Sequence, residues 1–231
     1  MPEFAVIIPA AGSSTRFGSN KLRATLGGLD VLHRALEAFL RRTDVVSLVM
    51  PARIRGFAQT IDRPTYGDLI ECDARFIWAD GGASRAQSVL SALRCVSESI
   101  EWVAVHDGAR PLVSQELIDR TFAAAQKYGA AVPALPVTLT IKQAAGPLPA
   151  PVERTLPREQ LWAMQTPQIM RRADLLLAFE NCPIPLAQVT DDVQLLELAG
   201  KPVWLVEGEE RNLKITTPTD LHLAEMFLTP C

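Results

Sequence analysis

The sequence lacks the features that mark several common classes of protein. Its 231 residues carry a formal net charge of −3, so there is no excess of positive charge for binding nucleic acid or an anionic membrane. No apolar run is long enough to span a bilayer. We therefore expect no nucleic-acid partner and no association with a membrane.

Cysteine is scarce and scattered, and the first residues do not have the pattern expected of an export signal. The four cysteines show no paired spacing, which is evidence against a zinc site and against a disulfide framework. The segment Met1-Pro2-Glu3 lacks the basic residues of a signal peptide, and Pro9 interrupts the apolar run that follows. These observations predict a cytoplasmic protein. The cysteines are Cys72, Cys95, Cys182 and Cys231.

Three well-known signatures of catalytic or nucleotide sites are also missing. The chain has no G-x-G-x-x-G dinucleotide fingerprint, no Walker loop with Gly-Lys-Ser/Thr, and no G-x-S-x-G nucleophile elbow. The histidines His33, His106 and His222 are scattered, and we expect each to be structural or exposed rather than catalytic.

What the sequence does contain is an alternation of short apolar runs with helical patterns. With 48% hydrophobic residues, it is an ordinary globular chain, which we expect to form one domain over residues 1–231. Strand and helix in alternation are typical of an α/β protein with a mostly parallel sheet and flanking helices. The predicted strands are 4–8, 45–50, 75–78, 102–105, 130–137, 202–206 and 213–216.

Apolar stripes and capping residues predict the helices. Leu32, Leu36 and Phe39 share one face of a helix over 31–40. The strand at 130–137 contains two prolines, which indicates a sheet edge or a bulge. Further helices are predicted from Ser84 onward, after Ser114 as N-cap, over 171–180, over 191–199 with Thr190 as N-cap, and from Thr217 onward, with a short one around 57–61.

The first 21 residues suggest a phosphate site. An apolar run over 4–8 leads to Pro9 and then to five small residues at 10–14, followed by the cations Arg16 and Lys21. A backbone without bulky side chains approaches phosphate oxygens closely, and exposed amides hold their charge. The alternative is an ordinary tight turn with two solvated cations. Because the loops at 9–21, 80–88 and 106–111 all follow strands, we expect them to meet at one crevice.

Residues 138–157 break the alternation of strand and helix. Two short stretches, 138–142 and 152–156, have strand character, and three prolines lie between them. We predict a hairpin arm that projects from the domain. Because such an arm usually needs a partner to bury it, we expect a homodimer; a mobile surface hairpin is the alternative.

Cations and small residues recur in the predicted loops. Such a set suits two phosphate-bearing ligands, which repel each other until their charge is neutralised. Asp107, at a strand end, is the candidate for holding Mg²⁺, or another divalent cation, beside those phosphates. The anion-binding candidates are the loop from Ala10 to Ser14, Arg16, Lys21, Gly81, Gly82, Arg85, Arg110, Arg158 and Lys214.

Several short segments, spread along essentially the whole chain, stand out by their order and spacing. They are Pro9-Ala10-Ala11-Gly12 with Arg16 and Lys21; Gly81-Gly82 with Arg85 and Ser88-Val89; Val105 to Pro111; Gln165 to Gln168; Thr190-Asp191; and Asn212-Leu213-Lys214. Together they resemble the family of 2-C-methyl-D-erythritol 4-phosphate cytidylyltransferases, enzymes of non-mevalonate isoprenoid synthesis. No single segment carries the resemblance.

The resemblance implies a Rossmann-like nucleotidyltransferase that joins CTP to methylerythritol phosphate, a polyol phosphate, and releases pyrophosphate. It implies that Arg16 and Lys21 stabilise charge on the α-phosphate, and that Arg158 and Lys214 position the sugar phosphate. Arg158 would come from the partner's arm. The implied binding residues are Ala10, Ala11, Gly12, Gly81, Gly82, Arg85 and Ser88 for the nucleotide side, and Asp107, Arg110 and Thr140 for the sugar phosphate.

Two alternatives stay open at this point. The related ribitol-5-phosphate cytidylyltransferases share most of the signature, and a non-catalytic nucleotide-binding protein could have the same fold. The chain also departs from the family pattern at four positions, which bear on the nucleotide contacts and on the arm: Ala83, Ser84, Leu139 and Pro157.

Overall fold

A computed structural model describes residues 2–10, 17, 20–52 and 73–228. Within these ranges the chain forms twelve strands and six α-helices. The strands are β1 Phe4–Ile7, β2 Thr25–Leu26, β3 Leu29–Asp30, β4 Val45–Ala52, β5 Phe76–Asp80, β6 Trp102–Val105, β7 Ala130–Pro136, β8 Ile141–Ala144, β9 Val152–Leu156, β10 Trp162–Met164, β11 Gln168–Arg171 and β12 Trp204–Glu207. The helices are α1 Val31–Leu40, α2 Arg85–Cys95, α3 Gln115–Tyr128, α4 Arg172–Glu180, α5 Asp192–Leu198 and α6 Pro218–Leu228.

Eight of the strands form one central sheet. Its order is β12-β7-β11-β6-β1-β4-β5, and β10 continues beside β7 where β11 leaves it. All neighbouring pairs are parallel except those made by β10 and β11. The prediction of an α/β fold with a mostly parallel sheet and flanking helices is confirmed.

The apolar run at β1 is buried because helices cover both faces of the sheet. Phe4 and Val6 belong to the core beneath α1 and α3. Ala5 and Ile7 point the other way, into the core beneath α2, α4 and α5. Alternate residues of β1 are therefore buried in the two cores on opposite faces of the sheet, which explains why the strand has no polar residue.

The prolines of β7 do not lie at a sheet edge, so the first of the two predicted alternatives, an edge or a bulge, was wrong. β7 is flanked by β12 on one side and by β10 and β11 on the other. Pro133 is tolerated because the strand on one side is interrupted opposite it. There Gln165, between β10 and β11, donates its backbone N–H to the Pro133 carbonyl at 2.7 Å.

Two other local predictions were wrong, and one cannot be compared. Residues 213–216 form no strand; the segment is tied down by the Ile215 N–H, which donates to the Ala109 carbonyl at 2.8 Å. The N-cap of α5 is Asp191, whose carboxylate accepts from the Gln194 N–H, rather than Thr190. The short helix predicted around 57–61 lies outside the described residues.

The predicted hairpin arm is present as β8 and β9. These strands pair antiparallel with each other and form a sheet of their own. Most of the arm's side chains are exposed, including the large apolar residues Leu139, Leu148 and Val152, and Leu148 is 85% exposed. Among the helices of the described part of the chain, none is long and apolar enough to cross a membrane.

Candidate active site

The loops that follow β1, β5 and β6 line one cavity of about 370 Å³ at the carboxyl ends of these strands. Their convergence was predicted from the order of strands and loops, and it is confirmed. Ligands of open α/β sheets bind in this position. The described residues that line the cavity are Pro9, Ala10, Lys21, Leu22, Gly82, Ala83, Ser84, Arg85, Ser88, Asp107, Gly108, Ala109 and Lys214.

The loop after β1 contributes Ala10 and Lys21 to the cavity. Lys21 begins a short 3-10 turn, which is capped by the Asn20 side chain accepting from the Leu22 N–H at 3.2 Å. Leu22 is buried in the core and so anchors this turn beside the cavity. Three predicted site residues of the same loop lie outside the described residues: Ala11, Gly12 and Arg16.

The loop after β5 enters α2 through a capping box. The Ser84 hydroxyl accepts from the Gln87 N–H, and the Gln87 side chain accepts from the Ser84 N–H, both at 3.2 Å. The Gly82 N–H donates to the Ser88 hydroxyl at 3.0 Å. A Cβ at Gly82 would lie 2.8 Å from the backbone of Gln87, so only glycine fits there. Gly81 precedes this close approach and does not itself line the cavity.

The loop after β6 places Asp107 among three cations. The Asp107 carboxylate lies 2.8 Å from Lys214 Nζ, 3.5 Å from Arg85 Nη2 and 3.7 Å from Arg110 Nε. Burial alone would raise the pKa of Asp107, but the charges of Arg85 and Lys214 hold it well below its usual range. Asp107 therefore stays ionised at neutral pH.

A buried hydrogen-bond chain holds the backbone of this loop. His106 Nε2 lies 3.0 Å from the Arg110 carbonyl oxygen, which only accepts, so Nε2 carries the proton. Nδ1 must then accept, and the Thr166 hydroxyl donates to it at 3.0 Å. The same hydroxyl accepts from the Asp107 N–H at 3.0 Å. His106 is thus structural, as predicted, and it fixes the residue that carries the carboxylate.

Arg110 is predicted to bind substrate, but it does not line the cavity of the described chain. Its guanidinium donates to the carbonyl oxygens of Asn212 at 2.7 Å and Met164 at 3.2 Å. Asn212 in turn donates its side-chain amide to the Thr166 carbonyl at 2.8 Å. These contacts fix the segment that carries Lys214. The matched motifs at 165–168 and 212–214 indicated that these residues matter, but not that they hold one another.

Two other predicted site residues lie on the arm. Thr140 and Arg158 are exposed and are not among the residues that line the cavity. Arg158 donates to the Thr138 carbonyl at 2.6 Å, which places its side chain at the base of the arm. Within one chain, the fold brings Lys21, Arg85, Asp107 and Lys214 together and leaves these two residues out.

The described part of the cavity offers few carboxylate ligands to a divalent cation. The described residues contain no cluster of three or more His, Cys, Asp or Glu side chains that could hold a metal ion. Among those that line the cavity, Asp107 is the one carboxylate. Mg²⁺ in nucleotide sites is usually held by one or two carboxylates together with substrate phosphates. The described lining thus fits a Mg²⁺ bound mainly by phosphates, for which Asp107 is the one available carboxylate.

The chemical capacity of the cavity follows from its charge. Its described lining has three cations, Lys21, Arg85 and Lys214, against the single carboxylate of Asp107. Fixed cations and backbone amides in a partly enclosed site stabilise anions, and they stabilise developing charge on a transferring phosphoryl group. Such a site at the end of a mostly parallel sheet is that of an α/β protein acting on phosphate-bearing ligands, the class to which the nucleotidyltransferases belong.

Comparison with known proteins gives the family. The sequence model of IspD, 2-C-methyl-D-erythritol 4-phosphate cytidylyltransferase, matches residues 4–230, and the chain belongs to this family. A Synechococcus protein named 2-C-methyl-D-erythritol 4-phosphate cytidylyltransferase is 40% identical, over 96% of this chain and 95% of its own length. A Desulfotalea psychrophila protein named "Bifunctional enzyme IspD/IspF" is 42% identical, and this chain spans 57% of its length.

Solved structures of the family have the same fold. The crystal structure of the Francisella tularensis 2-C-methyl-D-erythritol 4-phosphate cytidylyltransferase has a TM-score of 0.82 and 30% identity, covering 98% of this chain and 100% of that one. For the Thermus thermophilus enzyme of the same name, the TM-score is 0.77 and the identity 36%, covering 97% and 98%.

Proposed function

We propose that this chain joins CTP to 2-C-methyl-D-erythritol 4-phosphate, giving 4-diphosphocytidyl-2-C-methyl-D-erythritol and pyrophosphate. Its membership of the family supports this cytidylyltransferase reaction. The observation that carries the proposal is the cavity at the strand ends, whose described lining has the cations Lys21, Arg85 and Lys214 and a single buried carboxylate. The set suits two phosphate-bearing substrates better than any neutral ligand.

The reaction needs positioning and neutralisation of charge rather than a general base. The nucleophile is an oxygen of the sugar phosphate, which is already ionised near neutral pH. It attacks the α-phosphorus of CTP in line with the leaving pyrophosphate, and the P–O bond to the β-phosphate breaks. Lys21, together with Arg16, meets the charge that develops on the α-phosphate, as fixed cations do in other phosphoryl transfers.

The other site residues divide between the two substrates. We place the nucleotide against the loop after β1 and the start of α2, where small residues admit a close approach. Lys214 and Asp107 line the same cavity, 2.8 Å apart, and we place the sugar phosphate against them. The proposed nucleotide residues are Ala10, Ala11, Gly12, Gly81, Gly82, Arg85 and Ser88, and those for the sugar phosphate are Asp107, Arg110, Thr140, Arg158 and Lys214.

Mg²⁺ is proposed as the ion that arrives with the triphosphate of CTP. When bound, it neutralises part of the phosphate charge. Asp107 is the residue that would hold it, although its ion pairs with Lys214 and Arg85 compete for the same oxygens. The protein's own cations carry the rest of the neutralisation.

We further propose that two copies of the chain complete each other's sites. Thr140 and Arg158 lie on an exposed arm whose large apolar side chains are open to water, as expected of a surface that a second subunit covers. Thr140 and Arg158 of one subunit would then enter the cavity of the other. The cytoplasmic location, the single domain over 1–231 and the absence of a nucleic-acid partner stay predictions.

A pyrophosphate-release assay tests the function directly. The chain is supplied with CTP and Mg²⁺, and then with either methylerythritol phosphate or ribitol 5-phosphate. We expect release with methylerythritol phosphate and much slower release with ribitol 5-phosphate. Faster release with ribitol 5-phosphate would favour the ribitol phosphate alternative. Binding of CTP without turnover on either phosphate would favour a non-catalytic nucleotide-binding protein.

A further inference from the structure

The carboxylate of Asp192, at the start of α5, is removed from water and has no role in the site described above. Its side chain is 1% exposed, and Asp192 does not line the cavity. Arg85 Nη2 lies 2.8 Å from its Oδ2. Within the described residues, neither Oδ1 nor Oδ2 has a hydrogen-bond partner, so the contact with Arg85 is an ion pair without hydrogen-bond geometry. Burying a charge is unfavourable unless it is paired, and a buried ion pair is weak evidence for a gain in stability.

Arg85 connects this buried carboxylate to the cavity. The nitrogen that faces Asp192 also lies 3.5 Å from Asp107 Oδ1, on the cavity side. The Arg85 side chain is 30% exposed and lines the cavity. Asp192, Arg85, Asp107 and Lys214 therefore form a row of alternating charges that runs from the core to the open end of the site.

The position of Asp192 is itself fixed by the central sheet. Gln168 of β11 accepts from the N–H groups of Asp192 and Val193 at 3.0 and 3.1 Å. Its side-chain amide donates to the Asp191 carboxylate at 3.0 Å. Gln168 pairs with Val105, directly before the loop that carries Asp107. The Asp192 carboxylate is thus held in register with that loop.

We propose that Asp192 is a positioning residue of the cytidylyltransferase reaction, and that it acts by holding Arg85 at the wall of the cavity toward the CTP triphosphate. Without Asp192, the guanidinium is free to close on Asp107 as a bidentate pair. It would then present less positive charge to the triphosphate and would compete with Lys214 for the same carboxylate. This inference rests on the proposed function, in which Arg85 contacts the nucleotide.

The test replaces Asp192 by asparagine, which keeps the volume and removes the charge. Binding of Mg–CTP is measured by titration calorimetry without sugar phosphate, and steady-state kinetics are measured separately. We expect the Kd and the KM for CTP to rise together by about tenfold, with a smaller change in kcat, because binding of the nucleotide is weakened rather than the chemical step. Glu197→Gln, an exposed acid on the same helix, is the matched control and should bind CTP as the wild type does.

A double variant separates positioning from a general structural effect. If Asp192 acts through Arg85, then Asp192→Asn adds no loss of CTP affinity to that of Arg85→Gln. The double variant removes both charges of the pair and leaves no unpaired buried charge. If Asp192→Asn alone does not fold, the CTP affinity of the double variant can still be compared with that of Arg85→Gln. Wild-type affinity in Asp192→Asn would overturn the proposal, and so would a further loss in the double variant. A wild type that binds Mg–CTP but releases no pyrophosphate would contradict the proposed function alone, because the binding comparison still stands.

Discussion

At the scale of single residues, the site depends on how much positive charge surrounds one carboxylate. Asp107 is ion-paired with Lys214, Arg85 and Arg110, and Arg85 is shared with Asp192. Burial opposes the charge of Arg85, but the two carboxylates Asp192 and Asp107 raise its pKa above its ordinary value. Arg85 therefore stays charged before a substrate arrives and can meet the charge of a phosphate.

The first prediction concerns Lys21, which lines the cavity from the loop after β1. Lys21→Ala should fold normally and lower turnover by roughly a hundredfold or more, by analogy with the loss of a fixed donor to a transition-state anion. The Kd for CTP should change less than the turnover. Stopped-flow single-turnover rates and calorimetric binding measure the two effects separately.

Arg16→Ala should behave in the same way, because both cations are assigned to the α-phosphate. The exposed Lys127 at the end of α3 offers a control of the same type, and Lys127→Ala should leave both quantities unchanged. Unchanged turnover in Lys21→Ala and in Arg16→Ala would remove the basis of the proposed mechanism.

The second prediction concerns the buried histidine below Asp107. Burial lowers the pKa of His106 to about 4, from about 6.5 in an unfolded chain. Between these values the unfolded chain binds a proton that the folded chain does not, so His106 makes the fold less stable as the pH falls from 7 to 4. Relative to His106→Gln, the wild type should lose about 3 kcal/mol of unfolding free energy over this range.

Urea unfolding of both proteins at several pH values measures this difference. Comparison with the variant cancels the titration of carboxylates, such as Asp107 and Asp192, that both proteins share. Parallel stability curves for the two proteins would show that His106 titrates normally, and that the buried hydrogen-bond chain through Thr166 is incorrect.

At the scale of elements, each cavity loop is placed by the element that adjoins it. The loop after β5 is fixed by the capping box that begins α2. Arg85 is the first residue of this helix, and Ser88 lies in its first turn. The loop after β1 is fixed by the 3-10 turn at Lys21. Helix starts and strand ends therefore set the geometry, while the loop residues supply the chemistry.

The third prediction concerns this capping box. Ser84→Ala removes the acceptor for the Gln87 N–H and should lower the free energy of unfolding by about 1 kcal/mol. The frayed first turn should also weaken CTP binding, since Arg85 and Ser88 lie on it. Ser84→Asp keeps a capping oxygen and should retain the stability. Equal stability of Ser84→Ala and the wild type, in thermal or urea unfolding, would contradict the assigned cap.

A helix or strand could be predicted from the sequence where neighbouring residues alone determine it, and not where residues distant in sequence do. The helix at 31–40 was predicted with its observed bounds because its apolar stripe is continuous and it packs on one face. β10 and β11 were missed because each is short, and because Gln165 to Pro167 interrupt them. Residues 213–216 have strand composition, but their place beside the cavity is set by Arg110, Asn212 and Thr166, which are distant in sequence.

More of the site than of the strand pattern could be predicted, because the site residues lie in loops that directly follow strands. Loops after neighbouring parallel strands meet at one edge of the sheet, so the sequence order alone predicts that Ala10, Gly82 and Asp107 line one cavity. The role of Asp192 had no such signal. It lies behind the cavity and reaches the site only through Arg85, a contact that depends on how α5 docks on β11.

At the scale of the whole molecule, a single chain holds part of the proposed site. Its cavity contains Lys21, Arg85, Asp107 and Lys214, while Arg158 lies on the arm, where it donates to Thr138. If the arm of one subunit completes the cavity of another, then a dimer of one cavity variant and one arm variant has one complete site and regains activity.

The most direct test of this account uses two variants that are each expected to be inactive, Lys21→Ala and Arg158→Ala. The two proteins are unfolded, mixed in equal amounts and refolded together, so that mixed dimers form. In a mixed dimer, the intact cavity of one subunit meets the intact arm of its partner. Random pairing should restore about a quarter of the wild-type rate of pyrophosphate release, because half of the dimers are mixed and each has one complete site. No recovery in the mixture, or full activity in either variant alone, would contradict a charge-neutralising site shared between two subunits.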